Sequence, residues 1–336
     1  IAAFSDLNSP GALAAAKVGA FFVVFGSAAV LAGKFTSLFR DVEDFNAGLS
    51  RRVAERTSAL ESAMEEQSKL NESLQAANDR LQAAMDDAAR DTKIAVQVQQ
   101  GMFPQKPPEV EDWDLAFVYL PVQGVSGDLY DFYVDEGRLA GALVGDVSGH
   151  GIASGLITVL ARSIFYRGFR GLAKYSLGRI IEEINTELSA ELSQVENYLT
   201  ANLLRFEGDT VEYANAGHTE LAFRRAGKAK ASFITPEEAG DFKGPPLGRE
   251  GLEAPYRSLK FKVRPGDTLL LYTDCLLEAR NEEGQPFGSE GLLSAYGRAP
   301  DDSAADMLQY IIEDWRFHLG DAEVADDFTA MLLKRK

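Results

Sequence analysis

In 336 residues the chain has a single cysteine, Cys275, and three histidines, His150, His218 and His318. One thiol cannot close an intramolecular disulfide, so a reducing cytoplasm suits the chain. The same scarcity excludes a structural zinc site built on thiolates. Positive charge is also short: 34 Lys and Arg stand against 51 Asp and Glu, for a net charge of -17. That balance argues against nucleic acid as the main partner. Proline is absent between Pro10 and Pro104, and glycine between Gly48 and Gly101, so nothing there breaks a helix. No histidine lies in that stretch and no glycine-rich ATP-binding box follows it, which excludes a membrane histidine kinase. There is no Cys-x5-Arg signature, and so no thiolate phosphatase chemistry. Wholesale disorder does not fit either, because 46% hydrophobic residues suffice for a core.

What is present falls into three segments. In the first, residues 1–38, Val18 to Gly33 is apolar and uncharged between Lys17 and Lys34. It reaches membrane-spanning length if Lys17 snorkels and Ala12–Ala16 join the helix. Lys34, Arg40, Arg51 and Arg52 place its C-terminal side in the cytoplasm. The h-region of a signal peptide and a buried core helix are the competing readings. Because the first residue is Ile, we expect a piece of a longer protein, with this span the last of several.

The second segment, residues 39–103, reads as one long helix. Every seventh residue from Val53 gives a largely apolar series that includes Leu60, Leu74, Leu81 and Met102. Three residues beyond each lie Ala63, Leu70, Ala77, Ala84 and Val98, with interruptions at Arg56, Gln67 and Asp91. This is a parallel coiled-coil seam, which predicts a homodimer; a solvated single helix and a hairpin are the alternatives. The third segment, residues 104–336, begins where Pro104, Pro107 and Pro108 stop the helix. Strand-like runs at Leu115–Leu120, Leu139–Asp146, Val211–Ala214, Thr268–Tyr272 and Thr329–Leu333 alternate with helical stretches at Gly155–Arg167, Leu177–Leu192 and Ala304–Phe317. Strands before, between and after paired helices predict an α/β fold of the α/β/β/α sandwich type.

The chemistry lies in the aspartates at the strand ends. Asp146 closes the run Leu139–Val144 and opens Val147-Ser148-Gly149-His150-Gly151. Asp274 follows Leu269–Tyr272, Asp128 sits in Ser126-Gly127-Asp128, and Asp326 and Asp327 precede Phe328–Leu333. A carboxylate at the mouth of a buried strand is costly unless it is paired or binds a cation. These have no comparable set of Lys or Arg beside them, and a Mg²⁺ or Mn²⁺ pair is the usual physical resolution. Gly149 and Gly151 allow close backbone approach, so a carbonyl such as that of Val147 joins the candidate ligands.

These residues stand in blocks that resemble the bacterial PP2C-like (PPM) serine/threonine phosphatases, in the group typified by regulators of anti-sigma-factor antagonists, the stage II sporulation E-like branch. The blocks, in family order, are AVQVQQGMFPQ, YLPVQGVSGDLYDFY, GDVSGHGIASGL, YANAGHTEL, GPPLG, GDTLLLYTDCLLEARNEEGQPFG and ADDFTAMLL, between about Ala89 and Arg335. The preceding RRVAERTSALE resembles the linker that follows a membrane sensor. The resemblance implies a metal-dependent hydrolase in which Asp146 bridges two cations, Mn²⁺ or Mg²⁺. Asp128 and the Val147 carbonyl serve one of them, and Asp274 and Asp326 the other, with Asp326 chosen over Asp327. Asp146 and Asp128 then carry the catalysis, hydrolysing phosphoserine or phosphothreonine on a partner protein by water activated between the cations. The implied substrate is a phosphorylated anti-sigma-factor antagonist, and the implied location is the cytoplasmic (inner) membrane with the phosphatase domain in the cytoplasm. A catalytically weak metal-binding scaffold of the same fold is the alternative. One position departs from the pattern: Cys275 stands where the family has glycine, which predicts backbone strain if φ is positive there and a redox-sensitive site. His150 and His218 read as loop organisers. The junction from Val96 to Met102 predicts that seam movements reach Asp128 or Asp146.

Overall fold

The stretch without helix breakers folds as one helix. In the computed structural model, which describes residues 10–122, 124–149, 151–235, 242–249, 251 and 255–336, α1 runs from Pro10–Met102. Solvated i,i+4 pairs such as Arg51–Glu55 and Glu65–Lys69 line its surface. It contains one stretch long and apolar enough to cross a membrane, and none of that stretch is buried within the chain. A core helix of this chain is thereby excluded for it. The seam residues Val53, Leu60, Leu70, Leu74 and Leu81 are all exposed on the single chain. By its internal contacts the chain divides into Ile1–Met85 and Asp86–Lys336, so the last turns of α1 belong to the second unit.

That second unit continues with β1 (Trp113–Leu120), β2 (Asp128–Asp135), β3 (Arg138–Val147), α2 (Ile152–Gly171), α3 (Leu177–Glu191), β4 (Leu199–Glu207) and β5 (Thr210–Ala216). After these come β6 (Ala222–Arg224), β7 (Ala231–Phe233), β8 (Ser258–Lys262), β9 (Thr268–Tyr272), α4 (Cys275–Glu278), α5 (Gly288–Arg298), α6 (Ala304–Leu319) and β10 (Phe328–Arg335). Among the described residues the strands form two antiparallel five-stranded sheets, ordered β1-β10-β9-β6-β7 and β2-β3-β4-β5-β8.

Period-2 patterning explains the layers. In β10, Met331 and Leu333 join the core shared with the other sheet, whereas Phe328, Ala330 and Leu332 face α5 and α6. In β9, Leu269 and Leu271 point to the first core and Leu270 and Tyr272 to the second. Both faces of these strands are covered, so they read as continuous apolar runs; each such Leu contributes about 1.5–3 kcal/mol on burial. On the other sheet, α2 and α3 bury Ile157, Ile164, Ile180, Ile181 and Ile184. The result is the α/β/β/α sandwich read from the sequence. Ser176 and Ser303 cap α3 and α6, accepting from the amides of Arg179 and Asp306. The sequence reading did not anticipate β2, β4, α5 or the short strands β6, β7 and β8.

Candidate active site

Register brings the aspartates to one end of the sandwich. Asp128, the first residue of β2, lies opposite Asp146 near the end of β3. On the other sheet, Asp274 directly follows Thr273 after β9, and Asp326 and Asp327 lead into β10. The amide of Thr273 donates to the Thr329 carbonyl at 2.9 Å, and that of Thr329 to Thr273 Oγ1 at 2.9 Å, so those two strand ends are tied together. Both hydroxyls also donate across to the other sheet, to Asp128 Oδ2, at 3.1 Å from Thr273 and 2.5 Å from Thr329. Thr273 directly precedes Asp274 and Thr329 lies two residues after Asp327, a signal the sequence reading passed over.

The electrostatics of the cluster follow from burial and from like charge. Asp146 is pushed up to about 8, first by burial and then by Asp274, Asp326 and Asp327. Asp128 is only 2% exposed and is held well above the carboxylate range by burial and then by Asp146, against the two threonine hydroxyls. Asp274 shifts upward through burial and the neighbouring Asp326. Among the described residues no Lys or Arg forms an ion pair with any of them; the buried Asp131 one strand turn away does have one, Arg162. Among the described residues no three Asp, Glu, His or Cys side chains close to metal-binding distance.

Main-chain oxygens complete the donor set. A side chain on Gly127 would lie 2.9 Å from the Val147 carbonyl, 3.1 Å from that of Gly149 and 3.3 Å from Asp146 Oδ1. Only glycine permits this close approach, and the atoms it faces are hard oxygens of the kind that hold Mg²⁺ or Mn²⁺. Gly149 has φ near 86°, a backbone state that turns the loop and that other residues rarely adopt. The residues present therefore fit a divalent pair by donor chemistry.

The two adjacent aspartates differ in their engagements. Asp327 accepts from the Val122 amide through Oδ1 and from the Gly127 amide through Oδ2, both at 2.8 Å. Asp326 accepts from the Asp327 amide alone among the described residues, leaving its other oxygen free. Cys275 occupies the first turn of α4, and among the described non-glycine residues only Glu136 has positive φ. The strain expected at Cys275 does not arise, because the backbone there is helical. Its thiol is 3% exposed, donates to the Asp326 carbonyl, and is pushed up by burial and the surrounding aspartates, which keeps it protonated.

His218 is buried, and burial lowers it to about 3, so it is neutral. Its amide donates to Asn215 Oδ1 and its Nδ1 meets Thr200 Oγ1 at 2.8 Å, which makes it an organiser of the β5–β6 turn. His150 lies outside the described residues. The sequence reading also missed Gln99, buried near the end of α1. Its Nε2 donates to the Ser126 carbonyl at 2.8 Å and to Thr158 Oγ1 at 2.9 Å, while the Ser126 amide donates to Gln99 Oε1 at 3.0 Å. One glutamine thus clamps both polar groups of the residue before Gly127, and nothing in its sequence neighbourhood marks it out.

Comparison with known proteins identifies the fold and the family. The chain is 23% identical over 262 residues to protein IcfG of Synechocystis, covering 71% of this chain and 40% of that protein. It is 26% identical over 268 residues to the phosphoserine phosphatase RsbU of Bacillus subtilis, covering 76% of this chain and 73% of that one. The structure of the SiaA PP2C domain of Pseudomonas aeruginosa superposes with a TM-score of 0.62 at 20% identity, covering 76% of this chain and 99% of that domain, which establishes a PP2C-like fold. Residues 135–336, more than half of the chain, match the family description of stage II sporulation protein E (SpoIIE). The chain belongs to the SpoIIE family and carries a PP2C-type phosphatase domain of that family.

Proposed function

We propose that the chain is a metal-dependent phosphoprotein phosphatase acting on phosphoserine or phosphothreonine. The observation that carries this reading is that Asp146 lies opposite Asp128 in register and feels the like charge of Asp274 and Asp326, without a basic partner among the described residues and with main-chain oxygens crowded against Gly127. Asp128, Asp146 and the Val147 carbonyl would hold one Mn²⁺ or Mg²⁺ ion, and Asp146, Asp274 and Asp326 would hold a second. Bound there, a divalent pair supplies Lewis-acid charge and a water of lowered pKa. The chain's own residues orient that chemistry. Thr273 and Thr329 fix Asp128 Oδ2, and the Asp327 carboxylate holds the amides of Val122 and Gly127 at the start of β10.

The substrate in this reading is a phosphorylated anti-sigma-factor antagonist, in keeping with the phosphoserine phosphatase relative RsbU. Control comes through α1, whose Gln99 meets the loop bearing Gly127 and whose N-terminal part carries the membrane-length stretch. The seam on α1 pairs two copies, and the chain sits at the cytoplasmic membrane with its phosphatase domain in the cytoplasm.

The test is hydrolysis of p-nitrophenyl phosphate by the chain with Mn²⁺ and with EDTA, beside Asp146→Asn. We expect Mn²⁺-dependent turnover, reduced at least about a hundredfold in the variant. Metal binding without turnover in the unmutated chain would favour the scaffold reading.

A further inference from the structure

Beyond the opposed pair Asp128 and Asp146, the β2–β3 ladder runs on to Gly127 and Val147, but only half of that rung is made. A hydrogen-bonded pair in an antiparallel ladder exchanges two bonds, each amide donating to the other residue's carbonyl. The Val147 amide donates to the Gly127 carbonyl at 2.9 Å. The return bond is diverted: the Gly127 amide donates to Asp327 Oδ2 at 2.8 Å. Its neighbours are taken by side chains as well. The Ser126 amide donates to Gln99 Oε1 at 3.0 Å, and the Asp128 amide to Ser126 Oγ at 3.0 Å. No amide of residues 126–128 is left for the Val147 carbonyl, although a Cβ on Gly127 would stand 2.9 Å from it.

The other edge of β3 aims that carbonyl. The Ser148 amide donates to the Tyr198 carbonyl at 2.8 Å, and the Tyr198 amide to Ser148 Oγ at 2.9 Å. Asn197 Nδ2 donates to the Ser148 carbonyl at 2.6 Å. In a trans peptide the Ser148 N–H and the Val147 C=O point opposite ways, so tying the first to Tyr198 turns the second toward Gly127. Val147 is buried, and a buried acceptor facing an amide that has been drawn away is costly until another partner arrives. A hard cation is the partner that suits a main-chain oxygen beside carboxylates. Asp327 is itself buried, and its other oxygen takes the Val122 amide, which fixes the carboxylate where it intercepts Gly127.

We propose that Asp327 is a positioning residue for the cation held by Asp128 and Asp146: by drawing off the Gly127 amide it keeps the Val147 carbonyl open to the ion. The inference rests on the metal-dependent reading above and gives a task to the aspartate left out of its ligand set. Without Asp327 the Gly127 amide closes the ladder onto Val147, and that ion loses one of its oxygens. Loss of the Asp327 charge alone has a different signature, because that charge acts on Asp146, which serves both ions in this reading.

The test reads the Val147 carbonyl by nuclear magnetic resonance in the full chain, labelled with ¹³C at valine carbonyls and ¹⁵N at serine. The sequence has two Val–Ser pairs, Val125–Ser126 and Val147–Ser148, and Val125→Ile tells them apart. We expect Mg²⁺ to move the Val147 resonance in the unmutated chain. In Asp327→Asn the resonance should be displaced before any metal is added, through the new hydrogen bond, and should no longer respond to Mg²⁺. Calorimetric titration with Mn²⁺ should show two binding steps in the unmutated chain, one of them weakened about ten- to a hundredfold in the variant. Two steps weakened alike would assign Asp327 a purely electrostatic role and overturn the proposal. So would an unmoved resonance with both steps intact. Where Asp327→Asn does not fold by circular dichroism, Asp327→Glu, its carboxylate displaced by one methylene, is read in the same way. An unmutated chain that binds no Mn²⁺ would remove the metal reading and this inference with it, whereas two intact steps in the variants remove the inference alone.

Discussion

At the residue scale, Asp326 and Asp327 are chemically identical neighbours with different tasks. Asp327 spends both oxygens on main-chain amides, whereas Asp326 keeps one free beside Asp274. Asp327→Ala strands two amides and should destabilise the fold by about 3 kcal/mol. Asp326→Asn should leave the metal-free thermal midpoint unchanged or raised, because it relieves like-charge repulsion, and should abolish the rise on adding Mn²⁺. That rise should itself depend on pH. Asp146, pushed up to about 8, holds a proton in the metal-free fold that the unfolded chain releases near pH ~4. The native state binds more protons over that window, so this group's contribution is full below it and is lost as pH climbs through about 8. Mn²⁺ displaces those protons, and its stabilising increment should grow between about pH 6 and 8. Thermal melts with Mn²⁺ and with EDTA across that range check both points; an increment independent of pH would remove metal binding from Asp146. The sequence made the aspartates legible because each ends or opens an apolar run. It left Asp327's engagement hidden, because the amides of Val122 and Gly127 lie some two hundred positions away.

At the scale of elements, periodicity was legible wherever burial is regular. β9 and β10 are covered on both faces, and their apolar runs announce them. β2 escaped notice because Asp131 is buried in its middle against Arg162, which breaks the apolar run. α5 escaped because Gly288, Gly291 and Gly297 lower its helix propensity, and Gly297 is required by a tight approach to the Ala229 carbonyl. Tertiary packing overrides propensity there. The end of α1 shows the same limit: its helical nature is plain in the sequence, but the clamp made by Gln99 is not. Gln99→Ala would leave the buried amide and carbonyl of Ser126 without their partner. We expect turnover to fall about tenfold and Mn²⁺ affinity to weaken with it, as supporting residues around metal sites do. A thermal midpoint lowered with turnover intact would restrict Gln99 to a packing role. Calorimetric Mn²⁺ titration beside the aryl phosphate assay separates the two.

At the scale of the whole molecule, α1 leaves Val53, Leu60, Leu70, Leu74 and Leu81 exposed along one chain, about eight helical turns of seam with no cover of its own. Leucines at a and d positions bury that surface when two such helices pair, and the polar Gln67 and Arg56 lower stability while fixing register. The isolated helix gains little else, since its surface ion pairs are solvated and weak. We therefore expect the full chain in detergent to sediment as a dimer, and a variant with Leu70, Leu74 and Leu81 replaced by Lys to sediment as a monomer. Circular dichroism on both separates lost pairing from lost helix. If pairing also steadies the turn that carries Gln99, the monomer should keep its fold but lose most Mn²⁺-dependent hydrolysis. Undiminished hydrolysis by the monomer would uncouple the seam from the site. A monomeric unmutated chain would instead assign the exposed leucines to a partner of another kind.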